Sequence, residues 1–191
     1  MTTFVLLHGA YQGGWIWLPV RQRLEAQGHR VYSPSLVCCG VREHSLRPGI
    51  TTETHGAEKA TMNEMEDLKD VVLVGTSSGG MVLAAAAERV HSHVARIVLA
   101  DALALMDGEK IRDIVTNKAS IENDLAVGRD PADAASGLFK DLVPEQRKWA
   151  LDRITHHPRG VFYEPVKLPN FWSQNWKATV VYCLSLIHIS E

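Results

Sequence analysis

The chain has 191 residues, 46% of them hydrophobic and 22% charged, enough for one globular domain with a sizeable core. Its 20 Lys and Arg against 22 Asp and Glu leave a formal net charge of −2 with no long run of one sign, which excludes an electrostatic footprint for nucleic acid. The opening apolar run is too short to insert in a membrane and follows no basic segment, and 3 cysteines, with Cys38 and Cys39 adjacent, build no disulfide framework; a cytoplasmic, reduced protein is expected.

Phe4-Val5-Leu6-Leu7 is a continuous apolar run ending at His8-Gly9, the pattern of a strand buried on both faces. A helix is expected from Trp15 to Gln27, with Pro19 near its first turn and Gly28 as its stop, followed by a short strand at Arg30-Val31-Tyr32. Residues 35–50 read as a long loop and Thr51 to Leu68 as a helix with a weakly apolar face. Val71-Val72-Leu73-Val74 is the clearest strand, an Ala-rich helix from Ser78 to about Arg89 follows it, and Val94 to Ala100 is a fourth strand. This alternation predicts an α/β fold with a doubly wound, mostly parallel sheet. Residues 107–175, with five prolines and helical patches near 109–127 and 144–154, read as a helical cap inserted before a returning strand at 178–183. The expected organisation is a core at 1–106, a cap at 107–175 and a core strand within 176–183.

The strongest local signal is Gly75-Thr76-Ser77-Ser78-Gly79, a G-x-S-x-G placed directly after a strand and before a helix. A sharp strand-to-helix turn forces its central serine into a strained conformation, so its neighbours must be small. Ser77 is therefore the candidate nucleophile. A helix cap would account for one serine but gives no reason for glycine on both sides. Neither G-x-G-x-x-G nor a G-K-[ST] ending is present, so a phosphate loop fits poorly.

His8-Gly9-Ala10-Tyr11 follows the first strand and should leave the sheet at the same end as Ser77. The amides of Ala10 and Ser78 are then candidates for an oxyanion hole, and Gly9, Tyr11 and Trp17 for the substrate pocket.

With these loops in view the chain resembles the α/β-hydrolases grouped with plant methyl-ester esterases and hydroxynitrile lyases, together with their bacterial relatives. The resemblance rests on residues 4–10, Gly13-Gly14-Trp15-Ile16-Trp17, Gly28-His29-Arg30-Val31, Val71 to Gly80 and Arg96 to Ala102, and resumes near Trp176 to Cys183. It implies Ser77 as nucleophile, Ala10 and Ser78 as oxyanion donors, a small ester or related acyl compound as substrate, and neither metal nor organic cofactor. Lyase members carry threonine where this chain has Gly9, which favours the esterase branch and leaves a lyase as an alternative. Thr76 and Ser78 depart from the usual histidine and from the usual tyrosine or methionine, changes that keep the elbow small and make its pocket more polar.

The same resemblance puts the triad acid at the position of Leu186 and the histidine farther downstream. The ending Leu184 to Glu191 stays apolar where a polar turn is expected, so it reads as foreign and the fold as incomplete at its C-terminus; a fragment nearly inactive in turnover, with an exposed sheet edge, is expected. Among residues present, Asp101 after the fourth strand is a weak alternative acid, its blander role being a loop anchor. His8 is expected to shape its loop, and His156, His157 and His188 are poor candidates for the base. Cys38, Cys39 and His44 lack the spacing and the fourth ligand of a closed zinc site. Trp15, Trp17, Phe171, Trp172 and Trp176 lack basic interleaving and read as packing. A non-catalytic ligand-binding protein on the same fold is the rival reading.

Overall fold

The structure is a computed structural model that describes residues 1–115 and 121–183. The expectations for the tail from 184, including Leu186 and His188, fall outside the described residues.

The first apolar run becomes β1, Thr3–Leu7, whose last three residues are buried. A short 3-10 segment, Gly14–Trp17, leads into α1, Leu18–Ala26, where Pro19 sits in the first turn and breaks no helical hydrogen bond. β2 is Arg30–Tyr32. The stretch expected as loop is irregular apart from a 3-10 segment at Gly40–Ser45. α2, Thr52–Met65, is started by Thr51: its hydroxyl accepts from the Thr54 amide, while the Thr54 hydroxyl accepts from the Thr51 amide. β3, Val71–Ser77, α3, Gly79–Arg89, and β4, Val94–Ala102, complete the regular part.

The segment 107–175 carries helices, as expected of an insertion, with short strands among them. It contains α4 (Ile111–Ile114), β5 (Ile121–Glu122), β6 (Ala126–Gly128), α5 (Pro131–Ser136), α6 (Pro144–Leu151), β7 (His157–Pro158) and α7 (Gly160–Tyr163). Strands β5, β6 and β7 form a small antiparallel sheet, so of the helical patch expected near 109–127 the described residues show α4 and then, from Ile121, strand in place of helix. Turn chemistry decides the difference. Asn123 Oδ1 accepts hydrogen bonds from the amides of Leu125 and Ala126, each at 2.9 Å, folding the chain back where helical periodicity would carry it on. The helix expected at 144–154 is α6.

β8, Ala178–Val181, returns to the main sheet, which runs in the order β2-β1-β3-β4-β8 with every pair parallel. Chain order reverses at β1: β2 lies on one side of it and β3 on the other. In open α/β sheets the crevice outside the carboxyl ends at such a point is the usual ligand site. α3 is buried from Gly79 through Ala87, between β3 and α2, and its run of alanines allows that close approach. The antiparallel sheet and its flanking turns fold back over the loops after β1 and β2. The Thr155 amide donates to the Tyr11 carbonyl at 3.0 Å, and the Gly40 amide to Thr155 Oγ1 at 3.0 Å.

Candidate active site

Ser77 is the last residue of β3 and is exposed, with φ +49 in the left-handed region. For a residue other than glycine that conformation costs about 1–2 kcal/mol and persists only where packing dictates it. Here the packing is severe. A Cβ on Gly75 would lie 2.6 Å from the Gly79 carbonyl oxygen, and one on Gly79 would lie 2.5 Å from the Leu7 carbonyl oxygen. The two glycines thus let β3, α3 and the end of β1 meet at backbone distance. The Leu103 amide donates to the Ser77 carbonyl at 2.9 Å and holds the turn from the other side.

The loop after β1 leaves the sheet at the same end, because Leu7 pairs in parallel with Gly75. His8 fixes its course. The Leu36 amide donates to His8 Nε2 at 3.0 Å, so that nitrogen is unprotonated, and His8 Nδ1–H donates to the Gly9 carbonyl at 2.8 Å. Burial pushes the His8 pKa down to about 4, so the ring is neutral and serves as a two-ended spacer. Gly9 brings the loop against the elbow, and its amide donates to Gln12 Oε1 at 3.3 Å. Neither the Ala10 nor the Ser78 amide is engaged by another group of the described structure.

A cavity of about 130 Å³ opens over the elbow, and Ala10, Tyr11, Ser77 and Ser78 line it. Four of the expected residues are thereby brought together, and Gly9 lies directly behind Ser77. Trp17 is not among the lining residues: it ends the 3-10 segment before α1, at the start of a different helix. Asp101 is not among them either. It is the extra residue of a bulge in β4, where Thr76 pairs with Ala100 and Ser77 with Ala102, and its own φ is +49. The bulge turns the end of β4 beside the nucleophile, and Asp101 makes no hydrogen bond to Ser77 or to a histidine among the described residues. The opposite wall, which the sequence did not reveal, comes from the segment after β4: Ile111, Arg112, Glu122, Arg129, Phe162 and Tyr163.

No described histidine lines the cavity. His55 Nε2 faces the Val37 carbonyl, His156 pairs with Glu43, His93 with Asn63, and His157 Nδ1 lies 3.3 Å from Cys39 Sγ. Burial holds His157 well below the ordinary histidine range and pushes the Cys39 thiol up, so this pair is a neutral packing contact. No cluster of three or more metal-ligating side chains occurs among the described residues, and no described helix is long and apolar enough to cross a membrane.

The strand-turn-helix serine, the glycine loop facing it and the parallel sheet that carries both coincide with a family match over residues 4–188. The chain belongs to the alpha/beta hydrolase family. It is 38% identical over 111 residues to a carbendazim-hydrolysing esterase of Nocardioides sp. (strain SG-4G), a match covering 58% of this chain and 46% of that protein. It is 39% identical over 87 residues to methylesterase 8 of Arabidopsis thaliana, covering 45% and 32% respectively, and 32% identical over 100 residues to an alpha-hydroxynitrile lyase of that plant, covering 52% and 39%. The matched segment thus spans less than half the length of each of these relatives. In structure it is similar to an extracellular alpha/beta-hydrolase from a Paenibacillus species, with TM-score 0.83 and 22% identity over 94% of this chain and 76% of that one. It is also similar to the methylesterase MES16 from Arabidopsis, with TM-score 0.77 and 17% identity over 99% and 84%. At these identities the structural likeness carries the fold.

Proposed function

We propose that this hydrolase fold acts on a small carboxylic ester or related acyl compound, with Ser77 as the nucleophile. The observation that carries the reading is the left-handed backbone of Ser77, held at the mouth of a cavity that Ala10 and Ser78 also line. Ser77 Oγ would attack the carbonyl carbon, and the Ala10 and Ser78 N–H groups would donate to the oxygen as it gains charge. Donors of this kind are worth about 3–4 kcal/mol of barrier each. Collapse of the tetrahedral intermediate releases the alcohol and leaves acyl-Ser77, which water then cleaves. Gly9 offers no hydroxyl to a substrate, which supports the esterase over the lyase.

The proton of Ser77 needs an acceptor, and turnover requires a base from outside the described residues. Three free cysteines, two of them buried, support a reducing, cytoplasmic setting.

The absence of a described histidine at the cavity favours a second reading, a ligand-binding protein on the same fold. One experiment separates the two: labelling of the chain by a small fluorophosphonate with added imidazole, which supplies an external base. The esterase reading expects a single adduct on Ser77, a rate that rises with imidazole, and no adduct in Ser77→Ala. A label located elsewhere, or stimulation that survives Ser77→Ala, overturns it in favour of the binder.

A further inference from the structure

We infer that the cavity over Ser77 accepts an acyl compound carrying a carboxylate, and that Arg112 and Arg129 hold that charge. The inference deepens the esterase reading by naming the substrate class, and it rests on that reading for the chemistry at Ser77.

The charges lining the cavity do not balance. Its acid, Glu122, is already committed: the Tyr163 hydroxyl donates to Glu122 Oε1 at 2.6 Å, and Arg159 Nε lies 3.3 Å from the same oxygen. These bonds, with the nearby charges of Arg159 and Arg112, hold the Glu122 carboxyl below its usual range. Arg112, on α4, and Arg129, just after β6, line the same cavity, and neither has a carboxylate within 4.0 Å among the described residues. Elsewhere Arg21, Arg30, Arg42, Arg89 and Arg159 each pair with a glutamate, and Arg47, Arg96, Arg147 and Arg153 donate to a hydroxyl or to backbone carbonyls.

Arg129 shows what is missing. The Arg129 side chain has the Tyr11 hydroxyl as a hydrogen-bond neighbour and its guanidinium lies 5.9 Å from the centre of the Tyr11 ring, yet its Nε is buried and has no hydrogen-bond partner among the described residues. A desolvated N–H of a cation is costly to leave unanswered, and a planar carboxylate answers a guanidinium with two parallel bonds. Arg112 lies 5.8 Å from the Tyr163 ring, on the α4 side of the same wall. Leu103, Ile111, Val127 and Phe162 supply an apolar surface to the rest of the cavity. The occupant that answers both features has a short apolar body with an anionic end, its acyl carbon directed to Ser77. A purely apolar ester would leave the buried Arg129 donor unsatisfied, which any accepted substrate would have to overcome.

The test compares two ligands of one shape that differ in charge, 4-methylvalerate and 4-methylvaleramide, binding to the full chain and followed by ligand-observed NMR. The carboxylate is expected to bind at least tenfold more tightly, with an advantage that shrinks as salt is raised. In R112Q/R129Q that advantage should vanish, while Arg129→Lys should keep part of it. Near-ultraviolet circular dichroism establishes that each variant is folded. Role as a mere prop for Tyr11 would weaken both ligands equally and leave their ratio unchanged. Equal affinities in the unaltered chain, a preference that survives R112Q/R129Q, or no binding of either ligand would overturn the inference. The Ser77→Ala chain is expected to retain the preference, so a failure of the serine reading is separable: fluorophosphonate labelling would fail while carboxylate selection persisted.

Discussion

Gly9 lies directly against the side chain of Ser77: a Cβ built on Gly9 would lie 2.8 Å from the Ser77 Cβ and 3.4 Å from its Oγ. The loop after β1 and the elbow after β3 therefore set each other's position, and the oxyanion donors of the proposed mechanism are spaced by that contact. Gly9→Ala must move one loop or the other. It is expected to lower stability by about 1–3 kcal/mol, the usual range for overpacking, and to abolish imidazole-stimulated labelling of Ser77. Urea unfolding and mass spectrometry of the adduct measure the two effects. Unchanged labelling in Gly9→Ala would show that the loops are not mutually fixed.

Ser77 itself is held in a conformation that suits glycine better. Ser77→Gly is expected to raise stability by about 0.5–1 kcal/mol, the relieved strain slightly exceeding the extra entropy of an unfolded glycine. Ser77→Ala keeps the strain and should be close to neutral. Both lose the adduct. A Ser77→Gly chain that melts below the unaltered protein would contradict the strained elbow.

Stability should fall on mild acidification. Burial lowers the pKa of His8 and of His55 to about 4 and holds His157 well below its ordinary value. The unfolded chain takes up protons near pH 6.5 while the folded chain resists until about pH 4. The contribution of these rings is full above pH 6.5 and is lost as pH drops from 6.5 toward 4. For His8 alone the loss is on the order of 3 kcal/mol. The three effects do not add simply, since the rings of His55 and His157 are only 5.9 Å apart. Urea midpoints recorded between pH 8 and pH 4.5 test this, and a flat profile would mean that the three histidines are not buried as neutral rings.

At the edge of the sheet that the described residues form, Val180 and Val181 of β8 are each 49% exposed although both faces of a parallel sheet are ordinarily covered. An apolar strand presented this way is a template for association. Sedimentation velocity over a concentration series is expected to show reversible or irreversible self-association, and Val180→Lys should reduce it. A concentration-independent monomer would contradict this prediction.

Much of the core was legible because its signals are contiguous. A strand buried on both faces is a short unbroken apolar run, so β1, β3 and β4 could be placed from a few residues each. The elbow was legible because the strained turn demands small residues at fixed offsets from Ser77, and His8-Gly9-Ala10 because it follows a strand in the same parallel sheet. The segment after β4 was less so. Asn123 carries a turn signal, but the strands it joins have only two and three residues, too few to show a period.

What the sequence determined by itself, then, is the parallel α/β core and the serine at its turn, since backbone geometry and local side-chain size dictate both. Tertiary structure alone decided which residues face that serine. Arg112, Arg129, Glu122 and Tyr163 reach the cavity through pairings such as Tyr11 with Thr155 and Glu122 with Tyr163, between residues 144 and 41 positions apart. It also separated Trp17 from the pocket and committed His8 to Leu36 and Gly9. Contacts of that span depend on how whole elements pack, and nothing in the local spacing of residues encodes them.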